Sequence, residues 1–155
     1  MRHPLALVIL GAVLLAGCQA PAAFDPEDPA VVAALESQMK TAMEGAAAVD
    51  AAKVLSIADD DMTFITADVM LSGRDTIEAR FADTYSGLES QQQTVFERKV
   101  RILSPDVALV MATYEGTYTD KAGWTSEPVG LGITVVFVRE NGVWRAVHAH
   151  QSVAN

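Results

Sequence analysis

Cysteine is nearly absent from this chain, since Cys18 is the only one among its 155 residues. One cysteine excludes an internal disulfide and a cysteine-based zinc cluster. Aromatic residues make up 6%, and 11 basic residues face 20 acidic ones, so the formal net charge is −9. Such a surface repels nucleic acid. We therefore expect no nucleic-acid partner.

The N-terminus has the pattern of a secretory signal peptide. Arg2 and His3 precede an apolar run over residues 5–15, which is too short for a comfortable membrane span. The letters LAGC, ending at Cys18, match a bacterial lipobox, in which the cysteine is lipidated and becomes the first mature residue. Ordinary cleavage that discards Cys18 is the alternative. We expect residues 1–18 to be a lipoprotein signal.

Residues 19–28 resemble a tether, because this segment holds two prolines and three acids. Fully extended, it reaches about 30 Å. Gln19, rather than Asp, after the lipidated cysteine is compatible with outer-membrane sorting under the usual enterobacterial rule. The sequence thus predicts a domain that is lipid-anchored on the periplasmic side of the cell envelope, at the outer membrane.

Two helices are expected at the start of the domain. Asp28 followed by Pro29 predicts a helix start, and the helix has one apolar stripe. Gly45 weakens this helix, and Asp50 is the expected cap of a short second one. The stripe consists of Val32, Leu35, Met39 and Met43.

A strand over residues 62–66 and a third helix complete the N-terminal half of the prediction. Ser72 to Asp75 has a spacing like that of a capping box, and Ile77, Phe81 and Tyr85 share one face of the helix that follows. The acidic run 59–61 lacks the glycine and distal glutamate of a calcium loop, so we interpret it as a solvated turn.

The C-terminal half alternates with a period of two. Strands are expected at about 94–103, 107–118, 129–139 and 143–153, and Asn141-Gly142 is the strongest hairpin signal. Helices followed by an antiparallel meander predict one α+β domain over residues 29–155, with helices on one face of a curved sheet.

Three segments in this order resemble the nuclear transport factor 2-like (NTF2-like) superfamily. Residues 57–61 and 73–77 resemble its ketosteroid isomerase and SnoaL-like branches. The ending GVWRAVHAHQS, residues 142–152, resembles the association domain of calcium/calmodulin-dependent kinase and related SnoaL-like proteins. The resemblance implies a cone-shaped fold of three N-terminal helices on a curved antiparallel sheet. It does not imply one function, because this fold hosts enzymes, binding modules and assembly domains.

The catalytic residues of the isomerase branch do not carry over. Alignment places its general base at Ile65, its proton-donating acid at Thr134 and its oxyanion tyrosine near Met43. Without these groups, proton abstraction beside a carbonyl has no machinery. The association domain has a pocket arginine where this chain has Gln151, and an amide cannot form a charge-assisted fork with a carboxylate.

His148 and His150 are the remaining candidates for chemistry. One of them as a general base, or both as metal ligands, is the functional interpretation, but a third ligand of suitable type is missing, so we expect no metal and no cofactor. If Gln151 faces the pocket, parity places both histidines and Trp144 on the opposite, convex face, which is commonly the dimer interface in this superfamily. A bulge would reverse this argument.

Several aromatic residues are candidates to line a pocket. Tyr114 and Tyr118 share a strand face, where they either line the pocket or pack the sheet. Trp124 follows a turn, where it either covers the pocket mouth or caps the end of the domain. Phe64, Phe81 and Tyr85 complete the expected ligand-binding set, and Arg74 and Arg80 are expected in surface ion pairs rather than on a ligand.

Two functions follow from these residues. The first is a lipid-anchored, homodimeric module that binds a small hydrophobic ligand or a protein partner, with Gln151 and the aromatic side chains in the pocket. The second is a small dehydratase, isomerase or cyclase acting on a hydrophobic cyclic substrate, with His150 and Tyr114 as acid–base residues. The absence of the isomerase residues favours the first.

Overall fold

The first helix begins where the sequence supplies a cap. In the computed structural model, which describes residues 24–154, the Asp28 carboxylate accepts a hydrogen bond of 2.8 Å from the Ala30 amide, and Pro29 opens the helix. Helix α1 spans Pro29–Ala47. The signal peptide, Cys18 and most of the tether lie outside the described residues, so their predicted roles stay predictions.

Helix α2, Ala51–Leu55, packs tightly against α1. The Asp50 carboxylate accepts from the Lys53 amide at 2.9 Å, as its predicted role as a cap requires. A methyl group on Gly45 would lie 2.6 Å from the Val54 nitrogen, so only glycine allows this approach of the two backbones. The sequence had suggested merely that Gly45 weakens α1.

The next segment departs from the prediction in three ways. Strand β1 spans Ala58–Thr66, so the acidic run 59–61 lies in a strand and not in a turn. A short strand, β2 (Val69–Ser72), was not predicted. Helix α3, Arg74–Tyr85, has Gly73 at its N-cap with a φ of 86° and no side-chain cap, so the capping-box interpretation was wrong.

Four long strands complete the chain: β3 (Leu88–Ser104), β4 (Val107–Asp120), β5 (Val129–Glu140) and β6 (Val143–Val153). The sheet order is β2-β1-β6-β5-β4-β3, and β1 pairs with β6 in parallel, so the sheet is not wholly antiparallel. Asn141 and Gly142 have φ values of 51° and 82°, the left-handed pair of a type I′ hairpin turn, as predicted.

A bulge in β6 corrects the predicted position of Trp144. Val136 pairs with His148 and Phe137 pairs with Ala146, which leaves Val147 as the extra residue. Residues before and after the bulge therefore face the same side of the sheet when they are an odd number of positions apart, as Ala146 and Ala149 are. Trp144 is 6% exposed and belongs to the core rather than to the outer face.

The core lies between the helices and the inner face of the sheet. Its most completely buried large side chains come from α1, α3, β4 and β5, namely Leu35, Ile77, Val110 and Phe137. Among the helices of residues 24–154, none is both long and apolar enough to cross a membrane. The helices and the sheet leave space between them at one end, and the site lies there.

Candidate functional site

A cavity of about 330 Å³ opens between the three helices and the inner face of the sheet. This volume is at the small end of the range for small-molecule sites, about 300–1,000 Å³. Every strand except β2 contributes to its wall. The lining side chains are Met39, Ala42, Met43, Ala46, Val54, Phe64, Thr66, Arg80, Phe81, Thr84, Tyr85, Gln91, Gln93, Val95, Arg98, Ala112, Tyr114, Ile133 and Gln151.

Three aromatic rings form one apolar wall. The ring centroid of Phe64 on β1 lies 5.4 Å from that of Phe81. The centroids of Phe81 and Tyr85 are 5.7 Å apart, in an edge-to-face contact. Pairs of this kind hold rings in fixed orientations. The structure thus brings these three predicted ligand-binding residues together in the cavity.

Tyr114 and Gln151 form a polar pair in the same cavity. The Gln151 amide nitrogen donates to the Tyr114 hydroxyl oxygen at 2.6 Å. Since the hydroxyl accepts in this bond, its own proton is available to an acceptor in the cavity. This pair offers a hydrogen-bond donor without a charge.

Burial keeps the cavity tyrosines protonated. It raises the pKa of Tyr85 to about 12, with a smaller contribution from the neighbouring Tyr114. Burial also raises the pKa of Tyr114, although its hydrogen bond with Gln151 acts in the opposite direction. Both hydroxyls are therefore neutral at pH 7 and serve as donors rather than bases.

Arg98 lines the cavity, and the sequence analysis missed it. Val95 faces the cavity, and strict alternation of side chains along the strand would therefore place Arg98 on the outer face. Val95 pairs with Tyr114 and Glu97 pairs with Thr113, so Phe96 is an extra residue that shifts the alternation and turns Arg98 inward. No pattern in a single sequence marks such a bulge.

The Arg98 guanidinium is poorly satisfied. Within residues 24–154 its one hydrogen bond runs from Nη2 to the Met43 sulfur at 3.1 Å. Its Nε is buried and has no partner in that part of the chain. Thioether sulfur is a weak acceptor, so the contact with Met43 compensates little of the desolvation of the cation.

The cavity is positively charged in an acidic protein. Arg80 and Arg98 are its only charged lining residues among those described, and none of the lining residues is Asp, Glu or His. Arg80 pairs with Asp83 at 3.4 Å on exposed α3, and Arg74 pairs with Asp60 at 3.3 Å, so both make the predicted surface ion pairs. Arg80 nevertheless also reaches the cavity.

His150 lies outside the cavity, contrary to its candidate role as acid–base partner of Tyr114. The bulge at Val147 precedes it and leaves Ala149 and Gln151 facing inward, so His150 points outward and is exposed. His148 is also on the outer face, where its Nδ1 lies 2.7 Å from the Thr63 hydroxyl oxygen.

Metal ligands do not converge in the described part of the chain, where no group of three His, Cys, Asp or Glu side chains could hold an ion.

Tyr118 and Trp124 also lie outside the cavity. Their rings contact each other edge-to-face at 5.8 Å, and they are 40% and 57% exposed. Tyr118 is near the exposed end of β4 and does not line the cavity, although Tyr114 on the same strand face does. Trp124 packs on Tyr118 and does not cover the cavity.

The positions aligned with the isomerase acids face away from the cavity. Ile65 and Thr134 both pair with His150 on the outer face. Their neighbours Phe64 and Ile133 line the cavity instead, and neither carries a carboxyl group. Met43 does line the cavity, as the alignment predicts for the position of the oxyanion tyrosine.

Comparison with known families identifies the domain. The SnoaL-like domain matches residues 33–155. The chain belongs to the SnoaL-like domain family. No curated protein matches it. The match agrees with the resemblance seen in the sequence and covers every element that forms the cavity.

Solved structures similar to this SnoaL-like domain share its NTF2-like fold. A Xanthomonas campestris protein, suggested to be a calcium/calmodulin-dependent protein kinase II association domain, is 25% identical (TM-score 0.65; 84% of this chain and 89% of that chain covered). A Streptomyces avermitilis protein of the NTF2-like family, suggested to be a dehydratase, is 19% identical (TM-score 0.70; 82% of this chain and 98% of that chain covered). An NTF2-like protein of unknown function from Pseudomonas putida is 17% identical (TM-score 0.69; 81% of this chain and 87% of that chain covered).

Proposed function

We propose that this SnoaL-like domain binds a small, largely apolar molecule between its helices and its sheet. The observation that carries the proposal is the cavity of about 330 Å³, with aromatic walls and a few convergent polar groups. Sites of this composition are typical of small-ligand binding. Neutral Tyr114 and the Gln151 amide would orient the ligand, and Phe64, Phe81 and Tyr85 would contact its body.

An enzyme is the second candidate, and one observation favours it. The Tyr114 hydroxyl has a free proton in an apolar cavity, where it could stabilise a developing oxyanion or donate that proton. A dehydratase, isomerase or cyclase also needs a base, and no lining side chain is a carboxylate or an imidazole. His150 would have to leave the outer face to serve. Binding without turnover therefore agrees better with the geometry.

A thermal-shift screen with a cavity-filling variant tests the proposal. Hydrophobic cyclic metabolites and small carboxylates are screened against the purified protein, where a ligand at one hundred times its Kd adds about 2.7 kcal/mol of stability. Ala112→Leu fills the cavity from β4 and should abolish a hit. The neighbouring Thr113→Leu, on the outer face, should preserve it. A hit indifferent to Ala112→Leu would contradict binding in the cavity.

His150→Ala separates the two candidate functions. A ligand held as proposed should bind this variant as it binds the wild type, because His150 lies outside the cavity. Loss of binding in a folded His150→Ala variant would show that the imidazole contacts the ligand, and would favour the enzyme hypothesis.

We also propose that lipid on Cys18 anchors the domain to the periplasmic side of the outer membrane. The support is the lipobox, with Gln19 after the cysteine. Cys18→Ser should move the protein from the membrane fraction to the soluble fraction, and density-gradient separation reports which membrane holds the wild type. Membrane association that survives Cys18→Ser would contradict lipid anchoring.

The outer face of the sheet is the surface that we propose for homodimerisation. Its central part carries two rows of side chains in register across β4, β5, β6 and β1. The rows are Met111–Thr134–His150–Ile65 and Leu109–Val136–His148–Thr63. A sheet face on which apolar side chains flank two histidines is of the kind that interfaces use.

A further inference from the structure

Arg98 holds hydrogen-bonding capacity that the protein leaves unused. Of its five N–H donors, Nη2 meets only the Met43 sulfur, and the buried Nε meets nothing within residues 24–154. No ion pair in this part of the chain includes Arg98. Buried polar groups are nearly always paired in native proteins, so an unpaired one in a cavity wall requires an explanation.

The unpaired atom and the weakly paired atom belong to one edge of the guanidinium. The Nε–H and Nη2–H bonds of arginine run nearly parallel, and their spacing matches the two oxygens of a carboxylate. The Met43 sulfur lies 3.1 Å from Nη2, so Nη2 makes only a weak contact there and Nε makes none within residues 24–154. A methionine side chain is flexible and unbranched, so it can move aside at small cost.

We propose that the ligand of this cavity is a small amphiphilic acid whose carboxylate displaces the Met43 sulfur and accepts from both Nε and Nη2 of Arg98. This inference rests on the proposed ligand-binding function and narrows its ligand class. The apolar body of the acid lies along Phe81 and Tyr85. A hydroxyl or carbonyl group, where the ligand has one, reaches the Tyr114 hydroxyl.

The charges around the cavity support an anion. Both charged lining residues, Arg80 and Arg98, are cations, although acidic residues outnumber basic ones in the chain. In an apolar cavity a positive charge attracts an anion more strongly than it would in water.

A matched pair of probes tests the inference. Binding of 3-phenylpropionate and of the neutral 3-phenylpropanamide to the purified protein is measured by titration calorimetry. A charge-assisted hydrogen bond contributes about 1.5–3 kcal/mol, so the acid should bind roughly ten- to a hundredfold more tightly than the amide. Arg98→Gln should reduce this preference to less than about threefold, because it should lower the affinity for the acid much more than the affinity for the amide.

Arg101→Gln is the matched control, because it removes the same charge from the same strand on the exposed outer face. It should retain the preference for the acid. Arg98→Lys keeps the charge and removes the two-pronged geometry, so it should retain only part of the preference. Full preference in Arg98→Lys would show that charge alone acts and would overturn the two-pronged contact.

The remaining outcomes separate this inference from the function on which it rests. Equal binding of acid and amide to the wild type, or a preference that survives Arg98→Gln, overturns the role of Arg98 and leaves cavity binding intact. If neither probe binds and the only hits of the wider screen are neutral, acid recognition is wrong. If no compound binds at all, the ligand-binding function falls with it.

Loss of Arg98 should not unfold the protein, which keeps the test interpretable. Arg98 is half-buried, and its buried Nε has no partner within residues 24–154, so Arg98→Met should have a Tm equal to or above that of the ligand-free wild type. A markedly lower Tm would show that Arg98 stabilises the fold, and would contradict its assignment to a ligand.

Discussion

Two polar groups that line the cavity, the Tyr114 hydroxyl and the Arg98 guanidinium, differ in how well their hydrogen bonds are satisfied. Tyr114 accepts a short bond from Gln151, whereas Arg98 has one weak contact and a buried Nε without a described partner. A satisfied buried pair contributes to stability, and an unsatisfied buried group lowers it. At the residue scale, in the function that we propose, Tyr114 and Gln151 serve both the fold and the ligand, and Arg98 serves the ligand alone.

The hydrogen bond between Gln151 and Tyr114 makes a prediction about stability. Gln151→Leu leaves the buried tyrosine hydroxyl without its partner and should lower the free energy of unfolding by about 1–3 kcal/mol. Tyr114→Phe combined with Gln151→Leu should cost less than the two single changes summed. Urea unfolding of the four proteins measures this coupling. Additive costs would show that the bond contributes nothing.

Tyr85 and Tyr114 make a prediction about pH. Their pKa values are raised in the folded state, that of Tyr85 from 10 to about 12, so the unfolded chain releases these protons first. Their contribution to stability is complete below pH 10 and is lost as the pH rises through about 12.

Tyrosinate absorbance and unfolding measured between pH 9 and 12 should show this loss together with a late-ionising component. Tyr85→Phe should remove part of that component. Its persistence at full amplitude in the variant would contradict the assignment.

Two β-bulges decide which side chains reach the site at the scale of the element. The extra residue Phe96 turns Arg98 inward on β3, and the extra residue Val147 brings Trp144 into the core on β6. Each bulge reverses the parity of everything on one side of it. The composition of the cavity therefore depends on two backbone irregularities as much as on the strands themselves.

The contact between α1 and α2 makes a prediction at the same scale. Gly45→Ala gains up to about 1 kcal/mol of helix propensity, but its methyl group would meet backbone atoms of Val54 and Lys53 at 2.6 and 2.9 Å. Backbone cannot yield as a side chain can, so the net effect should be a loss of about 1–2 kcal/mol.

Gly87→Ala is the control, because a methyl group there meets nothing within 4 Å. It should change the free energy of unfolding by less than about 0.5 kcal/mol. Equal stability of both variants in urea unfolding would refute a tight contact at Gly45.

The whole molecule presents two faces of one sheet for different purposes. The helices cover the inner face and leave the cavity there. Within residues 24–154 no helix covers the outer face, which carries the two rows of side chains around His148 and His150. In the function that we propose, the ligand occupies the first face and a second copy of the chain the other. The His148–Thr63 contact would then stabilise β6 against β1 beneath the interface.

Homodimerisation through the outer face predicts the mass of the protein in solution and how a charge on that face changes it. Met111→Lys places a charge within one of the two rows and should convert the dimer to a monomer in sedimentation analysis, because burying an unpaired charge is costly. Ala34→Lys adds the same charge to the exposed surface of α1 and should leave the dimer intact. A wild type that sediments as a monomer would itself contradict the proposal.

Elements whose local chemistry dictates their form were predictable. Asp28-Pro29 and Asp50 start helices, Asn141-Gly142 closes a hairpin, and the period of two marks the long strands, and all of these appear in the structure. The capping box at Ser72, the turn at residues 59–61 and the wholly antiparallel sheet were wrong. Ser72 pairs with Thr63 of β1, and β1 pairs in parallel with β6, so strand pairing decided the first and the last of these against the local pattern.

The sequence also named the three residues of the aromatic wall, Tyr114 and Gln151 as candidate pocket residues, Gln151 through the family resemblance, and all five line the cavity. The sequence alone further determined the lipobox, the single cysteine and the acidic charge, since these depend on composition and local order. Tertiary structure alone decided that Arg98 enters the cavity and Trp144 the core, whereas parity from Gln151 had already placed His150 on the outer face. Parity along a strand survives only until a bulge, and a bulge is set by pairing with the neighbouring strand rather than by the residue that it displaces.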